Sequence, residues 1–198
     1  LKGKKLFLHF EAIMGKSKIY VNGKLLAEHF GGYLPVVVDV TDALEFGKEN
    51  LIAVWADNSN DPNYPPGKQQ EVLDFTYFGG IYRDCWLIAH NQVFITDPNY
   101  ENEEAGGGLF VAYNNVSDHS AEVLLKIQIR NSGRKAFKGV VEYELQQPDG
   151  QQVASLNSVI RIKPGKSTYS SDKLTVKSPM LWSCLLYTSP SPRDVEES

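Results

Sequence analysis

The chain has 198 residues, of which 42% are hydrophobic and 22% are charged, a composition typical of a globular protein rather than a disordered one. Its formal net charge of −4 and the absence of a long Lys/Arg block give no electrostatic reason to expect nucleic acid or an anionic membrane surface as a partner. No apolar run approaches the roughly 20 residues that span a bilayer. We therefore expect a globular protein without nucleic-acid or membrane partners.

The first half of the chain is a series of short strand-like runs separated by turn residues, without a sustained helical period. Asn22-Gly23 lies between two such runs, and Asn and Gly tolerate the positive φ that both positions of a type I′ turn require. We expect a hairpin there, in a β-sandwich that buries Trp55 and Cys85. The predicted strands are residues 5–13, 18–21, 24–28, 34–40, 50–56 and 81–89.

A long polar stretch separates the last two of these strands. It covers residues 57–80 and contains Pro62, Pro65, Pro66 and Gly67. A loop of this length is uncommon inside a compact sandwich and is more often functional or disordered than idle. We therefore expect functional residues in this loop.

The strand pattern begins again near Val93. Val123, Leu125, Ile127 and Ile129 alternate on one face of a predicted strand. Asp149-Gly150 and Pro164-Gly165 supply turns at a spacing that favours an antiparallel sandwich. The sequence therefore predicts an all-β protein of two sandwiches, with a boundary near His90.

The last segment, residues 184–198, does not continue the β pattern. Written back as codons, Cys184 to Asp194 resembles the end of a transposase-type sequencing adapter. We interpret 184–198 as translated adapter, with a natural Ser/Pro tail as the alternative. Cys85 is then the one native thiol, and no internal disulfide is expected.

Several phrases of the first half occur in a set order that resembles family 2 glycoside hydrolases. The last of them is most similar to β-galactosidase-like members, in a family that also includes β-glucuronidases and β-mannosidases. The phrases are Ile19-Tyr-Val-Asn-Gly23, His29-Phe-Gly-Gly-Tyr-Leu-Pro35, Asp39-Val-Thr41, Asn50-Leu-Ile-Ala-Val54, Asp57-Asn58 and Asp74-Phe-Thr-Tyr-Phe-Gly-Gly-Ile-Tyr-Arg-Asp84.

The resemblance implies a galactose-binding-like jelly-roll domain over 1–90, expected to be N-terminally incomplete, and an immunoglobulin-like sandwich over 91–183. Pro179-Met-Leu-Trp-Ser183 is similar to the phrase that leads from the second domain toward a (β/α)8 barrel with two catalytic Glu residues. That barrel is missing from the sequence. The chain is thus expected to be an inactive fragment of a retaining β-glycosidase, with a homo-oligomer possible and the compartment open.

The residues themselves offer no catalytic site. The two carboxyl groups of a retaining glycosidase lie about 5–5.5 Å apart, whereas adjacent Glu103 and Glu104 should diverge on an extended segment. The histidines, at positions 9, 29, 90 and 119, do not have metal-ligand spacing. We predict no catalytic residue, metal or cofactor within the chain.

Asp74 is the candidate for contact with substrate. The resemblance implies that this carboxylate reaches from the jelly roll into the glycone subsite, where it would orient sugar hydroxyls through charge-assisted hydrogen bonds. The alternative is a turn or N-cap Asp. Thr76 stands where the family usually has Asn, a departure from the family's pattern beside Asp74.

Residues beside Asp74 are assigned supporting roles. Tyr77, with Phe78, could stack on a sugar face, or pack in the core or between domains. Gly79 and Gly80 are expected to allow a backbone conformation closed to other residues. Arg83 and Asp84, which we place at the start of a strand, are expected to form a structural ion pair or to dock against the barrel.

Three functions remain open. The first is the non-catalytic N-terminal part of a β-galactosidase that hydrolyses O-glycosyl bonds. The second is a free-standing carbohydrate-binding or adhesion module, and the third is a purely structural double sandwich, which leaves the phrase around Asp74 unexplained.

Overall fold

The computed structural model describes residues 1–104, 106–147 and 149–181 and divides into two compact units between Gly107 and Gly108. Both units are built from antiparallel strands, which confirms the predicted all-β architecture. The segment 184–198, interpreted as adapter, and the predicted linker residues Trp182 and Ser183 lie outside the described residues.

The described residues of the first unit form nine strands, a short 3₁₀ turn and one short helix. In chain order they are β1 (Lys5–Phe10), β2 (Ile13–Met14), β3 (Lys16–Val21), β4 (Lys24–Phe30), β5 (Val36–Asp39), β6 (Ile52–Asp57), the 3₁₀ turn (Gln70–Val72), β7 (Gly80–Ile81), β8 (Cys85–His90), β9 (Val93–Ile95) and α1 (Pro98–Glu101).

Two three-stranded sheets form the body of the first unit, in the orders β5-β1-β8 and β4-β3-β6. Successive side chains of the central strands β1 and β3 point to opposite faces, and the residues on one face of each strand contribute to a shared apolar core. The fully or nearly fully buried members of this core are Leu6, Leu8, Phe10, Ile13, Ile19, Val21, Val36, Val38 and Val40.

The predicted hairpin joins β3 to β4. Asn22 and Gly23 have φ of 50° and 79°, which a type I′ turn requires. The Asn22 side chain also donates to the Ala43 carbonyl at 2.9 Å and accepts from the Leu51 amide at 3.0 Å. The turn is therefore tied to the connection between β5 and β6, and the hairpin prediction is confirmed.

The core of the first unit is open to solvent along β6 and β8. Leu87 of β8 pairs with buried Leu8, and Ile52 of β6 pairs with buried Val21, so both side chains are on the inner face. Their exposed fractions are nevertheless 49% and 44%. Within the described residues no strand covers these two edges.

Two burial predictions are wrong because both residues lie on these edge strands. Cys85, expected to be buried, is exposed even though it pairs with buried Phe10. Trp55 pairs with Lys18 on the outer face of its sheet and is 46% exposed. A strand-like sequence does not reveal whether a strand lies at the centre or at the edge of its sheet.

The segment after β8 packs on the outer face of β1. The Phe7 ring meets Phe94 at 5.9 Å and Tyr100 at 5.0 Å between ring centroids. The helix α1 begins after Asp97, whose carboxylate accepts from the Asn99 amide at 2.8 Å. These contacts attach Phe94 and Tyr100 to the first unit, and the domain boundary near His90 remains a prediction.

The second unit consists of two antiparallel layers. β11 lies between β10 and β14, and β12 pairs with β13. The predicted inner face of β11 is confirmed, since Val123, Leu125, Ile127 and Ile129 are all buried. The strands are β10 (Leu109–Asn114), β11 (Ser120–Asn131), β12 (Phe137–Gln146), β13 (Gln152–Ile162) and β14 (Lys166–Lys177).

A polar cluster closes one end of the first unit. Asp39 accepts from the Thr41 hydroxyl at 2.6 Å and from Lys5, and Thr41 in turn accepts from the Leu6 amide at 3.0 Å. Burial alone would raise the pKa of Asp39, but the hydrogen bonds from Lys5 and Thr41 and the Lys5 charge outweigh it, so this pKa lies below its usual value.

We predict that Asp39→Asn lowers the free energy of unfolding by about 1–2 kcal/mol near neutral pH, since charged hydrogen bonds are lost. A carboxyl with a lowered pKa stabilises the fold above its unfolded pKa of about 4 and ceases to do so as the pH falls through its folded pKa. Urea unfolding, followed by Trp55 and Trp86 fluorescence, should therefore show a difference from wild type that shrinks in acid. Asp42→Asn is the exposed control, and an undiminished difference at pH 3 would contradict the assignment.

Gly15 joins β2 to β3 at a close backbone contact. Its φ is 84°, and a Cβ there would lie 2.1 Å from the Asp57 carbonyl oxygen. Gly3 has nearly the same φ, 83°, but open space around it. The two glycines therefore separate the cost of a positive φ from the cost of a backbone clash.

We predict that Gly15→Ala destabilises the first unit by about 3 kcal/mol or more, against about 1 kcal/mol for Gly3→Ala, because only the first adds a steric clash to the strained φ. Thermal or urea unfolding of the two variants measures the difference. Equal losses of stability would show that the Asp57 backbone yields to a methyl group.

Candidate functional site

The long loop that follows β6 is anchored at both ends. It begins at Asp57, where β6 ends, and it ends at β7, which pairs with β2 through Ile13 opposite Ile81 and Met14 opposite Gly80. The loop therefore leaves and re-enters the first unit through sheet hydrogen bonds, and its middle projects from fixed ends.

Lys16 of β3 holds the first part of the loop. Its ammonium lies 2.7 Å from the Asp61 carboxylate and 5.5 Å from the centre of the Tyr64 ring. The hydrogen bond to Asp61 raises the pKa of Lys16, and the same bond lowers the pKa of Asp61. Tyr64 is buried and donates its hydroxyl to the Ser59 carbonyl at 3.1 Å. The loop is thus fastened to a central strand.

Short polar side chains give the same part of the loop its shape. Asp57 accepts from the Ser59 amide and Asp61 from the Asn63 amide, each at 2.9 Å. Gln70 donates its side-chain amide to the Asn58 carbonyl at 2.6 Å. These bonds satisfy backbone groups that a long loop would otherwise leave to water.

The segment 72–78, which we term the tip, lies beyond these contacts. Its apolar members Val72, Phe75 and Phe78 are 66%, 50% and 64% exposed. Asp74 is also exposed, and within the described part of the chain its carboxylate has no hydrogen-bond or ion-pair partner. The tip therefore presents one carboxylate among exposed apolar side chains, an arrangement suited to contact with a ligand or another domain.

Tyr77 and Phe78 face different surroundings. Tyr77 is half-buried, and burial, together with the nearby Tyr64, Tyr33 and Asp57, raises the pKa of its phenol. Phe78 is exposed. Of the two aromatic residues expected beside Asp74, the structure therefore packs Tyr77 toward the body of the loop and leaves Phe78 in solvent.

Gly79 and Gly80 serve the end of the loop in different ways. Gly80 has φ of 75°, which favours glycine. At Gly79 a Cβ would lie 3.0 Å from the Asn58 side chain, so the missing methyl lets the two ends of the loop approach. Asn58 and Lys16 were not identified as site residues from the sequence, since each acts through a partner distant in the chain.

Arg83 and Asp84 lie between β7 and β8 rather than at the start of a strand. The Arg83 guanidinium lies 5.4 Å from the centre of the Tyr82 ring, and the Tyr82 hydroxyl donates to the Gly32 carbonyl. The Asp84 carbonyl accepts from the Glu11 amide at 3.0 Å. Among the described residues no ion pair joins Arg83 to Asp84, and their docking against a barrel remains a prediction.

The described residues provide neither a metal cluster nor a membrane-spanning helix. No group of three or more His, Cys, Asp or Glu side chains in 1–104, 106–147 and 149–181 is arranged to hold a metal ion. No helix in those ranges is long and apolar enough to cross a membrane. Glu103 and Glu104 are both exposed in the stretch after α1.

Sequence comparison relates the chain to known glycosidases. Residues 1–91 match the sugar-binding domain of glycosyl hydrolases family 2, and residues 108–191 match a second domain of the same family. A β-glucuronidase of Formosa agariphila is 31% identical over 91% of this chain and 19% of its own length. A β-galactosidase of Thermoanaerobacter pseudethanolicus is 32% identical over 81% of this chain and 20% of its own length.

A solved structure, Bacteroides uniformis β-glucuronidase 2, superposes with a TM-score of 0.80 at 30% identity. The match covers 91% of this chain and 21% of that structure. The chain therefore spans about a fifth of the length of these relatives. The chain belongs to glycoside hydrolase family 2.

Proposed function

We propose that the chain is the non-catalytic N-terminal part of a retaining β-glycosidase. Its membership of family 2 and the small share of its relatives that it spans support this proposal. The chemistry would then belong to a catalytic barrel elsewhere in the whole protein.

We favour β-galactosidase as the activity of the whole enzyme, because the sequence from Asp74 to Asp84 is most similar to β-galactosidase-like members of the family. β-Glucuronidase is the second candidate, because the relatives that cover most of this chain include enzymes of that name as well as β-galactosidases. The two glycones differ in the configuration of the C4 hydroxyl and at C6, which is a hydroxymethyl group in galactose and a carboxylate in glucuronic acid. Rates on the two chromogenic glycosides by the whole enzyme decide between them.

Asp74 is assigned to glycone recognition because it is the exposed carboxylate of the tip. A carboxylate already paired within the protein would have to break that bond before it could accept hydrogen bonds from a sugar, and Asp74 has no such bond in the described residues. The anchored loop limits the conformational entropy lost when it docks. Asp74 would thereby orient the sugar without taking part in proton transfer.

Tyr77 has a supporting role in this proposal. Its half-buried ring and its position beside Tyr33 and Tyr64 favour a packing residue that sets the direction of the tip. Any contact with the sugar face would involve the exposed edge of that ring. The free-standing carbohydrate-binding module remains the alternative function, and direct saccharide binding by the 198-residue chain would favour it.

We expect the 198-residue chain to hydrolyse no chromogenic β-galactoside or β-glucuronide above the buffer rate. Retaining hydrolysis requires one carboxyl group as acid and another as nucleophile, and we assign both to the barrel rather than to this chain. Continuous absorbance assays at high protein concentration provide the measurement. If turnover copurified with the chain and disappeared when residues of the chain were substituted, the catalytic residues would lie within this chain and the proposal would be wrong.

In the whole enzyme, Asp74→Asn is expected to reduce kcat/KM for the preferred glycoside by roughly 10–100-fold, the cost of one charge-assisted hydrogen bond to a sugar hydroxyl. The substitution keeps the size of the side chain and removes its charge. Asp42→Asn, at an exposed turn of the same unit, is the matched control and should leave kcat/KM unchanged. Wild-type kinetics in Asp74→Asn would remove the assigned role.

A further inference from the structure

Lys16 and Lys18 make similar contacts with different parts of the first unit. Both belong to β3, and both point away from the shared core, because the buried residues of this strand alternate with them. Lys18 pairs with Glu28 of the neighbouring strand β4 at 2.8 Å. Lys16 instead pairs with Asp61 of the long loop at 2.7 Å. The same kind of ion pair therefore joins strand to strand at one position and strand to loop at the other.

The ion pair of Lys16 is less exposed to water than the ion pair of Lys18. The side chains of Lys16 and Asp61 are 28% and 17% exposed, against 41% and 45% for Lys18 and Glu28. The buried ring of Tyr64 also faces the Lys16 ammonium. Water and salt screen a partly buried pair less than an exposed one. We term Lys16, Asp61 and Tyr64 the Lys16 cluster, and it attaches the first part of the loop to β3.

The segment that this cluster attaches also contacts both ends of the tip. Tyr64 donates its hydroxyl to the carbonyl of Ser59, the neighbour of Asn58. Before the tip, Gln70 donates its side-chain amide to the Asn58 carbonyl at 2.6 Å. After the tip, Gly79 lies so close that a Cβ there would be 3.0 Å from the Asn58 side chain. The position of Asn58 therefore determines where the tip leaves the loop and where it returns.

We propose that Lys16 is a positioning residue for Asp74, because it holds the part of the loop from which the tip projects. This inference rests on the proposed role of Asp74 in glycone recognition, and Lys16 acts on the sugar only through the loop. A carboxylate that is already in place loses less conformational entropy when the sugar binds. Misplacement by about 1 Å can reduce a rate by up to about 100-fold.

Lys16→Met in the whole enzyme removes the charge and keeps an unbranched side chain. We expect kcat/KM for the preferred glycoside to fall by about fivefold or more. The loss should divide between kcat and KM as it does in Asp74→Ala, since both variants impair the same contact. Lys16→Arg keeps a cation beside Asp61 and should retain most of the activity. Lys18→Met breaks the corresponding pair on the same strand and, as the matched control, should keep wild-type kcat/KM.

A double-mutant cycle separates positioning from a general structural effect. In Asp74→Ala the carboxylate to be positioned is absent, so the further substitution Lys16→Met should reduce kcat/KM by less than about twofold. Asp61→Asn removes the charge of the same pair from the loop side and leaves β3 unchanged. It should therefore lower kcat/KM when Asp74 is present and have little effect in Asp74→Ala.

Hydrogen exchange of the whole enzyme without substrate measures the order of the loop itself. The Gln70 amide donates to the Asn60 side chain at 3.0 Å, and the Leu73 amide donates to the Gln70 carbonyl at 3.2 Å. In Lys16→Met, peptides with these amides should exchange at least about fivefold faster, whereas peptides from β1 should keep wild-type rates. If Lys16→Met also accelerates exchange in β1, Asp61→Asn takes its place in both experiments.

The outcomes distinguish this inference from the proposed function. Wild-type kinetics in Asp74→Ala would remove the role of Asp74 and this inference with it. A loss in Asp74→Ala, together with wild-type kinetics in Lys16→Met and Asp61→Asn, would keep that role and overturn the inference. The inference would also be wrong if Lys16→Met cost the same factor with and without Asp74, or if the loop exchanged at the wild-type rate.

Discussion

The structure of the first unit depends on the packing of β1 against β3 across a shared apolar core. Leu6, Leu8 and Phe10 meet a core that includes Ile19 and Val21, and such contacts supply most of the free energy that opposes chain entropy. Because β1 and β3 are the central strands of their sheets, this packing also positions the neighbouring strands that pair with them. Lys16, which begins β3, therefore offers a fixed attachment for the long loop.

The proposed function follows from how this loop is built. Its first part is held by Lys16, Asp61 and Tyr64, and its end by the pairing of β7 with β2. Between them the tip projects Asp74 into solvent without a partner in the described residues. A rigid scaffold that carries an exposed polar residue on a loop is the usual arrangement for recognition.

Local patterns of the sequence predict much of the fold. Asn22-Gly23 determines a hairpin because its turn demands positive φ, and the alternation from Val123 to Ile129 determines a buried face because strand side chains alternate. The phrase ending at Asp84 locates the candidate site. Local patterns do not predict where a strand lies in its sheet or which distant residues meet. Cys85 and Trp55 belong to edge strands, and Lys16 contacts Asp61 only after the chain has folded.

We propose that Asp74 recognises the sugar from outside the catalytic barrel. A structure of the whole enzyme with a glycone bound would show whether it does so. We expect a carboxylate oxygen of Asp74 to lie about 2.7 Å from a sugar hydroxyl, as in a charge-assisted hydrogen bond. A bound sugar with Asp74 left in solvent, or paired with another side chain, would contradict the account.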